Sequence, residues 1–261
     1  MEVTNRDYAL ALDAKDPLAK YRSQFVINDP NQCYLDGNSL GRLPKATIQV
    51  VNDFMLNEWG EEAVAGWAHW IDEAQTVGDL LGRAALGAAP GQVLVCDTTS
   101  INFYQLALAA IQARPGRKTI IIDAANFPTD RYILAGIAEQ FGLNLITLDN
   151  DGSGGPGAIE VNSKKELITP EILEPLLNDD VALVTLQVIY YRGGARSDVK
   201  AITDICRKNG TLVVWDASHA VGAIDLQFDA WGVDLAVGCT YKYLNSGPGS
   251  PAWLYVSSRL Q

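Results

Sequence analysis

The sequence predicts an α/β domain: a mostly parallel sheet of seven strands sandwiched by helices. Short apolar runs alternate with helical stretches from residue 92 to residue 256, the pattern of strand–helix–strand units. One of these runs, Lys118–Asp123 (KTIIID), is continuous rather than alternating, as expected of a strand buried on both faces. With 48% hydrophobic and 20% charged residues, the 261-residue chain has enough apolar side chain for a sizeable core. That composition excludes disorder.

Residues 43–59 and 61–87 read as helices, the second rich in Ala and carrying Trp67 and Trp70. Gln92–Cys96 is a short β-run, and a helix follows over Ser100–Ala113. After the strand Lys118–Asp123 come a helix over Thr129–Phe141 and a strand over Asn144–Leu148. Residues 150–166 are Gly-rich and polar, which predicts a surface loop. A helix at 170–178, the strand Ala182–Val188, a helix at 198–208 and the strand Thr211–Asp216 continue the alternation. Strands at Leu235–Gly238 and Trp253–Val256 complete the seven. Residues 1–45 read as an N-terminal segment leading into one large domain, 46–261. There is no internal repeat and no heptad pattern.

Charge narrows the function. With 20 Lys and Arg against 31 Asp and Glu the net charge is −11, which argues against nucleic acid as a partner. No apolar run approaches the ~18 residues of a membrane span, and residues 1–16 lack a basic stretch followed by an apolar one. A cytoplasmic address is the expectation. Four cysteines without a CxxC pair, and only two histidines (His69 and His219), argue against a metal site. The cysteines are expected to be reduced and buried. His69 receives no function.

In parallel sheets ligands gather beyond the carboxyl ends of the strands. After Gln92–Cys96 the sequence runs Asp97-Thr98-Thr99-Ser100 into a helix. Hydroxyls and free N–H groups there make either a phosphate cradle or an ordinary helix cap. No GxGxxG follows the first strand and no GxxxxGK[ST] is present, so dinucleotide and P-loop chemistry have no support. After Lys118–Asp123 comes Asn126-Phe127-Pro128-Thr129-Asp130, whose aromatic can cover a planar ring or simply join the core. The strand Thr211–Asp216 ends on a carboxylate, followed by Ala217-Ser218-His219. Such a carboxylate caps a helix or answers a buried cationic partner. The deciding piece is Lys242, in Gly238-Cys239-Thr240-Tyr241-Lys242-Tyr243, placed 26 residues after Asp216 at the end of an apolar segment. A strand-end Asp followed by a strand-end Lys is what a pyridoxal phosphate site requires: Lys for the Schiff base, Asp to keep the pyridine nitrogen protonated.

The chain resembles the kynureninases, which are fold-type-I pyridoxal-phosphate enzymes. The resemblance runs from YLDGNSLGRLP (Tyr34–Pro44) through EWGEEAVAGWAHW, DTTSIN, NFPTD and WDASHAVGA to CTYKYLNSGPGSPAWLYV. DGNSLG together with YKYLNxGPG separates this family from the cysteine desulfurases. It implies that pyridoxal 5'-phosphate is bound covalently by Lys242 and held at its ring nitrogen by Asp216. It further implies His219 beside the cofactor, Phe127 stacked on the ring with Asp130 closing the same loop, and Thr99, Ser100 and Tyr241 on the phosphate. Lys242, Asp216 and Tyr241 would carry the catalysis, Tyr241 as a proton donor or acceptor. Two positions depart from the family pattern. Leu186-Gln187-Val188 stands where a Ser or Thr is usual, and Tyr191-Arg192-Gly193-Gly194 replaces YRTG. Gln187 is read as a hydrogen-bonding neighbour of the cofactor.

The reaction implied is hydrolytic cleavage of L-kynurenine, or its 3-hydroxy derivative, to anthranilate (or 3-hydroxyanthranilate) and L-alanine, a step of tryptophan catabolism. The resemblance also implies a homodimer and a small C-terminal domain, which the sequence does not contain. On that reading the 261 residues would be inactive alone. The alternatives are another fold-type-I enzyme, such as an aminotransferase or a cysteine desulfurase, and a non-catalytic truncated relative.

Overall fold

The computed structural model describes residues 3–161 and 166–261. One mixed sheet of eight strands organises them: β1 (Val93–Cys96), β2 (Thr119–Asp123), β3 (Asn144–Asp149), β4 (Ile159–Glu160), β5 (Val181–Gln187), β6 (Leu212–Asp216), β7 (Leu235–Gly238) and β8 (Ala252–Val256). Their spatial order is β1-β8-β7-β6-β5-β2-β3-β4. All neighbours are parallel except β8, which is antiparallel to both β7 and β1. Two reversals restore the direction, so β1 points the same way as β7. The carboxyl ends of β1, β2, β5, β6 and β7 therefore open on one edge.

The period-two alternation of a strand sorts its side chains between two cores. Ile120, Ile122, Leu183, Leu212, Val214 and Val237 face one side and pack on Phe103, Leu106, Leu134 and Ile137. These last belong to the helices Thr99–Gln112 and Pro128–Phe141. Ile121, Val184, Leu186, Val213 and Trp215 face the other side, with Val199, Ile202 and Cys206 of helix Val199–Asn209. Each helix starts where its sequence says it can. Thr98 Oγ1 accepts from the Ile101 N–H at 3.3 Å, Asp198 accepts from the Ala201 N–H at 3.0 Å, and Pro128 takes the first position of its helix. Two of them stop at glycines in left-handed geometry, Gly142 and Gly210.

Three expectations need correction. Residues 61–87 are not one helix: Ala63, at φ 47°, breaks the chain, and short helical pieces follow at Ala63–Gly66, Trp67–Trp70, Glu73–Leu81 and Gly82–Leu86. The piece Glu73–Leu81 lies directly on β1, where a Cβ on Gly78 would sit 2.1 Å from the Val93 carbonyl oxygen. Second, the predicted loop 150–166 contributes an eighth strand. Its residues Ile159–Glu160 extend the sheet beside β3, and 162–165 lie outside the described residues. Two residues are too few to show a period, so polarity and glycine dominated the reading. Third, only Cys206 and Cys239 are buried; Cys96 is half-buried and Cys33 exposed.

Among the described residues no helix is long and apolar enough to cross a membrane. Phe228 is fully buried between the rings of Trp253 and Tyr255, at centroid distances of 6.3 and 5.2 Å. Phe228→Ala should cost about 3–5 kcal/mol, because little nearby can collapse into the space. Urea unfolding should show a lower midpoint with an unchanged slope.

Candidate active site

The common edge of the sheet gathers the predicted residues around one cavity of about 250 Å³. From the end of β1 the chain turns through Asp97, at φ 48°, into the helix Thr99–Gln112. Thr98, Thr99 and Ser100 line the cavity there. The first N–H groups of a helix have no partner within it, so Thr99 and Ser100 present free donors and the positive end of the helix dipole. Phe127 and Asp130 enter from the loop after β2, Asp216 from the end of β6, and Tyr241 and Lys242 from the segment after β7.

Lys242 is buried, with Nζ 2.9 Å from Nε2 of His219 and 3.5 Å from its Nδ1. Burial, and then the neighbouring Lys242, push the His219 pKa down to about 4, against the pull of Asp216. A neutral imidazole can accept a hydrogen bond from the Lys242 amine. Nζ also lies 5.7 Å from the centre of the Phe127 ring and 5.8 Å from that of Tyr241. The Asp216 carboxylate, 5% exposed, accepts from the Ser218 N–H at 2.8 Å. Burial, followed by the charges of Cys239 and Asp216, raises the Tyr241 phenol to about 12, so it keeps its proton at neutral pH.

Asp130 occupies the first turn of helix Pro128–Phe141 and is buried. Its Oδ2 has no hydrogen-bond partner. Burial, then the nearby Asp216 and Asp123, hold its pKa well above the ordinary carboxylate range, with Lys242 opposing them. Phe127 is 37% exposed and meets the edge of the Tyr191 ring at 5.4 Å. Gln187 is placed differently from the reading above: its Nε2 donates to the Ala125 carbonyl at 3.1 Å, and its Oε1 is buried without a partner. It holds a loop rather than lining the cavity.

Sequence reasoning missed several contributors. Ser218, Thr129 and Thr98 line the cavity and were visible inside the quoted motifs. Tyr191, whose ring lies 6.2 Å from that of His219, carried no motif signal of its own. Asp123, Asn126 and Asn150 form a buried network behind the Phe127 loop. Burial pushes the Asp123 pKa up to about 7, although Asn150, its own backbone and Asn126 hydrogen-bond to it. The N-terminal segment also reaches the site. The Gly41 N–H donates to the Tyr241 carbonyl at 2.8 Å, beside Lys242.

An amine, two carboxylates and an open helix N-terminus around one cavity suit a ligand carrying an anionic group and a ring that can hold a proton. Comparison with known proteins agrees on the family, since the sequence pattern of aminotransferase class-V matches residues 33–261. The chain belongs to the aminotransferase class-V family. Within known members, this class-V chain is 37% identical over 266 residues to the kynureninase of Pseudomonas fluorescens, covering 99% of this chain and 59% of that protein. It is 38% identical over 262 residues to the kynureninase of Burkholderia pseudomallei strain K96243, covering 98% and 58%. The chain thus spans under two thirds of the length of these curated relatives. Among solved structures, the cysteine desulfurase CsdA of Escherichia coli superposes with a TM-score of 0.73 at 19% identity, covering 94% of this chain and 59% of its own. A C-DES variant with glycine covalently linked to its PLP cofactor superposes with a TM-score of 0.74 at 16% identity, covering 94% and 60%. At these identities the likeness is one of fold.

Two outcomes follow from the geometry. In Gly41→Ala the new Cβ would lie 2.2 Å from the Lys242 carbonyl oxygen, so the N-terminal segment or the Lys242 segment must move. Faster proteolysis between residues 26 and 44 is expected, with the core unfolding midpoint changed little. Asp123 holds its proton up to about pH 7 when folded, well above the ordinary aspartate range. The folded state therefore binds the extra proton, and stability falls as pH rises from about 4 to about 7. The slope should be up to about 1.4 kcal/mol per pH unit. Asp123→Asn should remove that part of the slope, measured by urea unfolding at a series of pH values.

Proposed function

We propose that the protein is a kynureninase that uses pyridoxal 5'-phosphate for hydrolytic cleavage of L-kynurenine, or its 3-hydroxy derivative, between Cβ and Cγ. The products are L-alanine and the corresponding anthranilate. The observation that carries the reading is the convergence of Lys242, Asp216 and the open end of helix Thr99–Gln112 on one cavity, in a chain matched along 98–99% of its length by kynureninases. The residues present fit the cofactor. Lys242 offers a buried amine, Asp216 a buried carboxylate, and Thr99 and Ser100 free N–H and hydroxyl donors, while Asp130 Oδ2 lacks a protein partner. When bound, pyridoxal 5'-phosphate supplies a covalent attachment for the substrate amine and an electron sink for bonds at its α- and β-carbons.

The side chains then have separable tasks. Lys242 would hold the cofactor covalently through Nζ, and the same amine would serve as the base for the proton on the substrate Cα. Neutral His219, 2.9 Å from Nζ, receives a hydrogen bond from that amine and keeps it aimed into the cavity. The Asp216 carboxylate holds a proton at the pyridine nitrogen, and its bond from the Ser218 N–H at 2.8 Å fixes its orientation. Thr99, Ser100 and Tyr241 bind the phosphate, the first two through the helix N-terminus. Tyr241, protonated up to about pH 12, can also deliver a proton during cleavage of Cβ–Cγ. Phe127 and Asp130 cover the ring from the loop after β2. A homodimer is part of the same proposal, supported by the exposed Trp59, Trp67 and Ile71, which a second copy would cover.

The experiment is spectroscopic. Pyridoxal 5'-phosphate added to the protein should give the absorbance band of a lysine Schiff base, and L-kynurenine should perturb it. In Lys242→Ala the band should vanish. Retention of the band in that variant, or no response to kynurenine in the parent, would sink the reading.

A further inference from the structure

We propose that Asp123 is a positioning residue that sets where Phe127 sits over the cavity, an inference that rests on the cofactor reading above. Asp123 ends β2, is fully buried and does not line the cavity. Its Oδ1 accepts from Asn150 Nδ2 at 3.2 Å and its Oδ2 from Asn126 Nδ2 at 3.4 Å. Each Asp123 oxygen accepts from one amide NH₂, so the side chain draws that end of both amides toward itself and leaves both amide oxygens for the loop. Those oxygens are used: Asn150 Oδ1 accepts from the Ala125 N–H at 3.0 Å, and Asn126 Oδ1 from the Phe127 N–H at 2.7 Å. Asp123 thus orients Asn126, shares the orientation of Asn150 with the Glu166 carbonyl, which accepts from the same Nδ2 at 2.5 Å, and each asparagine pins one loop amide.

The loop leaves little freedom elsewhere. The Ala124 N–H donates to the Leu148 carbonyl at 2.8 Å, the Ala124 carbonyl accepts from Arg131 Nη1 at 2.8 Å, and the Ala125 carbonyl accepts from Gln187 Nε2 at 3.1 Å. Ala124, Ala125 and Asn126 are buried, yet Phe127 itself is 37% exposed. Its ring is held by one edge contact to Tyr191 rather than by a packed core. Where core packing does not decide a ring's position, the backbone that carries it does. Asp123 orders that backbone at a distance from the ring.

The test is a double-mutant cycle on the 261-residue chain, with pyridoxal 5'-phosphate as the probe. Asp123→Leu, Phe127→Leu and the double variant are compared by cofactor dissociation constant and by the visible circular dichroism of the bound cofactor, which reads the asymmetry around its ring. Asp123→Leu should weaken cofactor binding about tenfold and reduce the dichroic band. The double variant should bind no more weakly than Phe127→Leu alone, because both changes act through the same ring. Should Asp123→Leu fail to fold, Asp123→Asn keeps the shape and one acceptor, and the same cycle applies with a smaller loss. Additive losses in the double variant, or a folded Asp123 variant with parental affinity and dichroism, would overturn the assignment. A parent chain that binds no cofactor would overturn this assignment and the cofactor reading together.

Discussion

Strand β8 is antiparallel to both of its neighbours, and this pairing lets β1 run in the same direction as β7. With β1 turned that way, the first turn of helix Thr99–Gln112 arrives at the edge where Asp216 and Lys242 emerge. A β8 parallel to β7 but still antiparallel to β1 would send β1 the other way and carry Thr98–Ser100 to the opposite end of the sheet. The anion-binding donors and the amine would then be separated by the length of a strand. The site therefore depends on a pairing made by residues that never touch it, Val93–Cys96 against Ala252–Tyr255.

Given that edge, electrostatics explains the side chains found there. Lys242 is buried, and a buried amine needs partners that accept from it. His219 provides one because burial keeps its ring neutral, while Asp216 and Asp130 line the same cavity. The two carboxylates are not equivalent. Asp216 receives the Ser218 N–H, whereas one oxygen of Asp130 receives nothing and its pKa rises. Burial and the neighbouring carboxylates push Asp130 toward its protonated form. Thr99 and Ser100 add donors without adding charge, which leaves room for an anionic group beside the acids.

Much of this arrangement was legible in the sequence, and the part that was not has a physical pattern. The seven longer strands announced themselves as apolar runs, because a strand covered on both faces has no room for polar side chains. Lys242, Asp216 and the Asp97–Ser100 turn were legible because the chemistry demands those residue types at strand ends. β4 was not, since two residues carry no period. The break at Ala63 was hidden because alanine favours helix, yet the residue stands at φ 47°. Gln187 was read as a cofactor neighbour because it stands where the family usually has a Ser or Thr, but its amide turns to Ala125 instead.

The network behind Phe127 marks the limit of reading by motif. Asp123 and Asn150 are 27 residues apart, on adjacent parallel strands or just beyond them, and nothing local links an aspartate to a distant asparagine. Residues that meet a ligand are constrained by the ligand's chemistry, so few residue types will serve. Residues that place them are constrained only by geometry: any acceptor that orients two amides would do the work of Asp123. The same task can be met by many side-chain combinations, and it therefore leaves no signature in the chain. Register supplies the missing information. Pairing Asp123 with Leu148 puts the start of the next loop, Asn150, within reach of the Asp123 carboxylate, and the amide orientation follows from there.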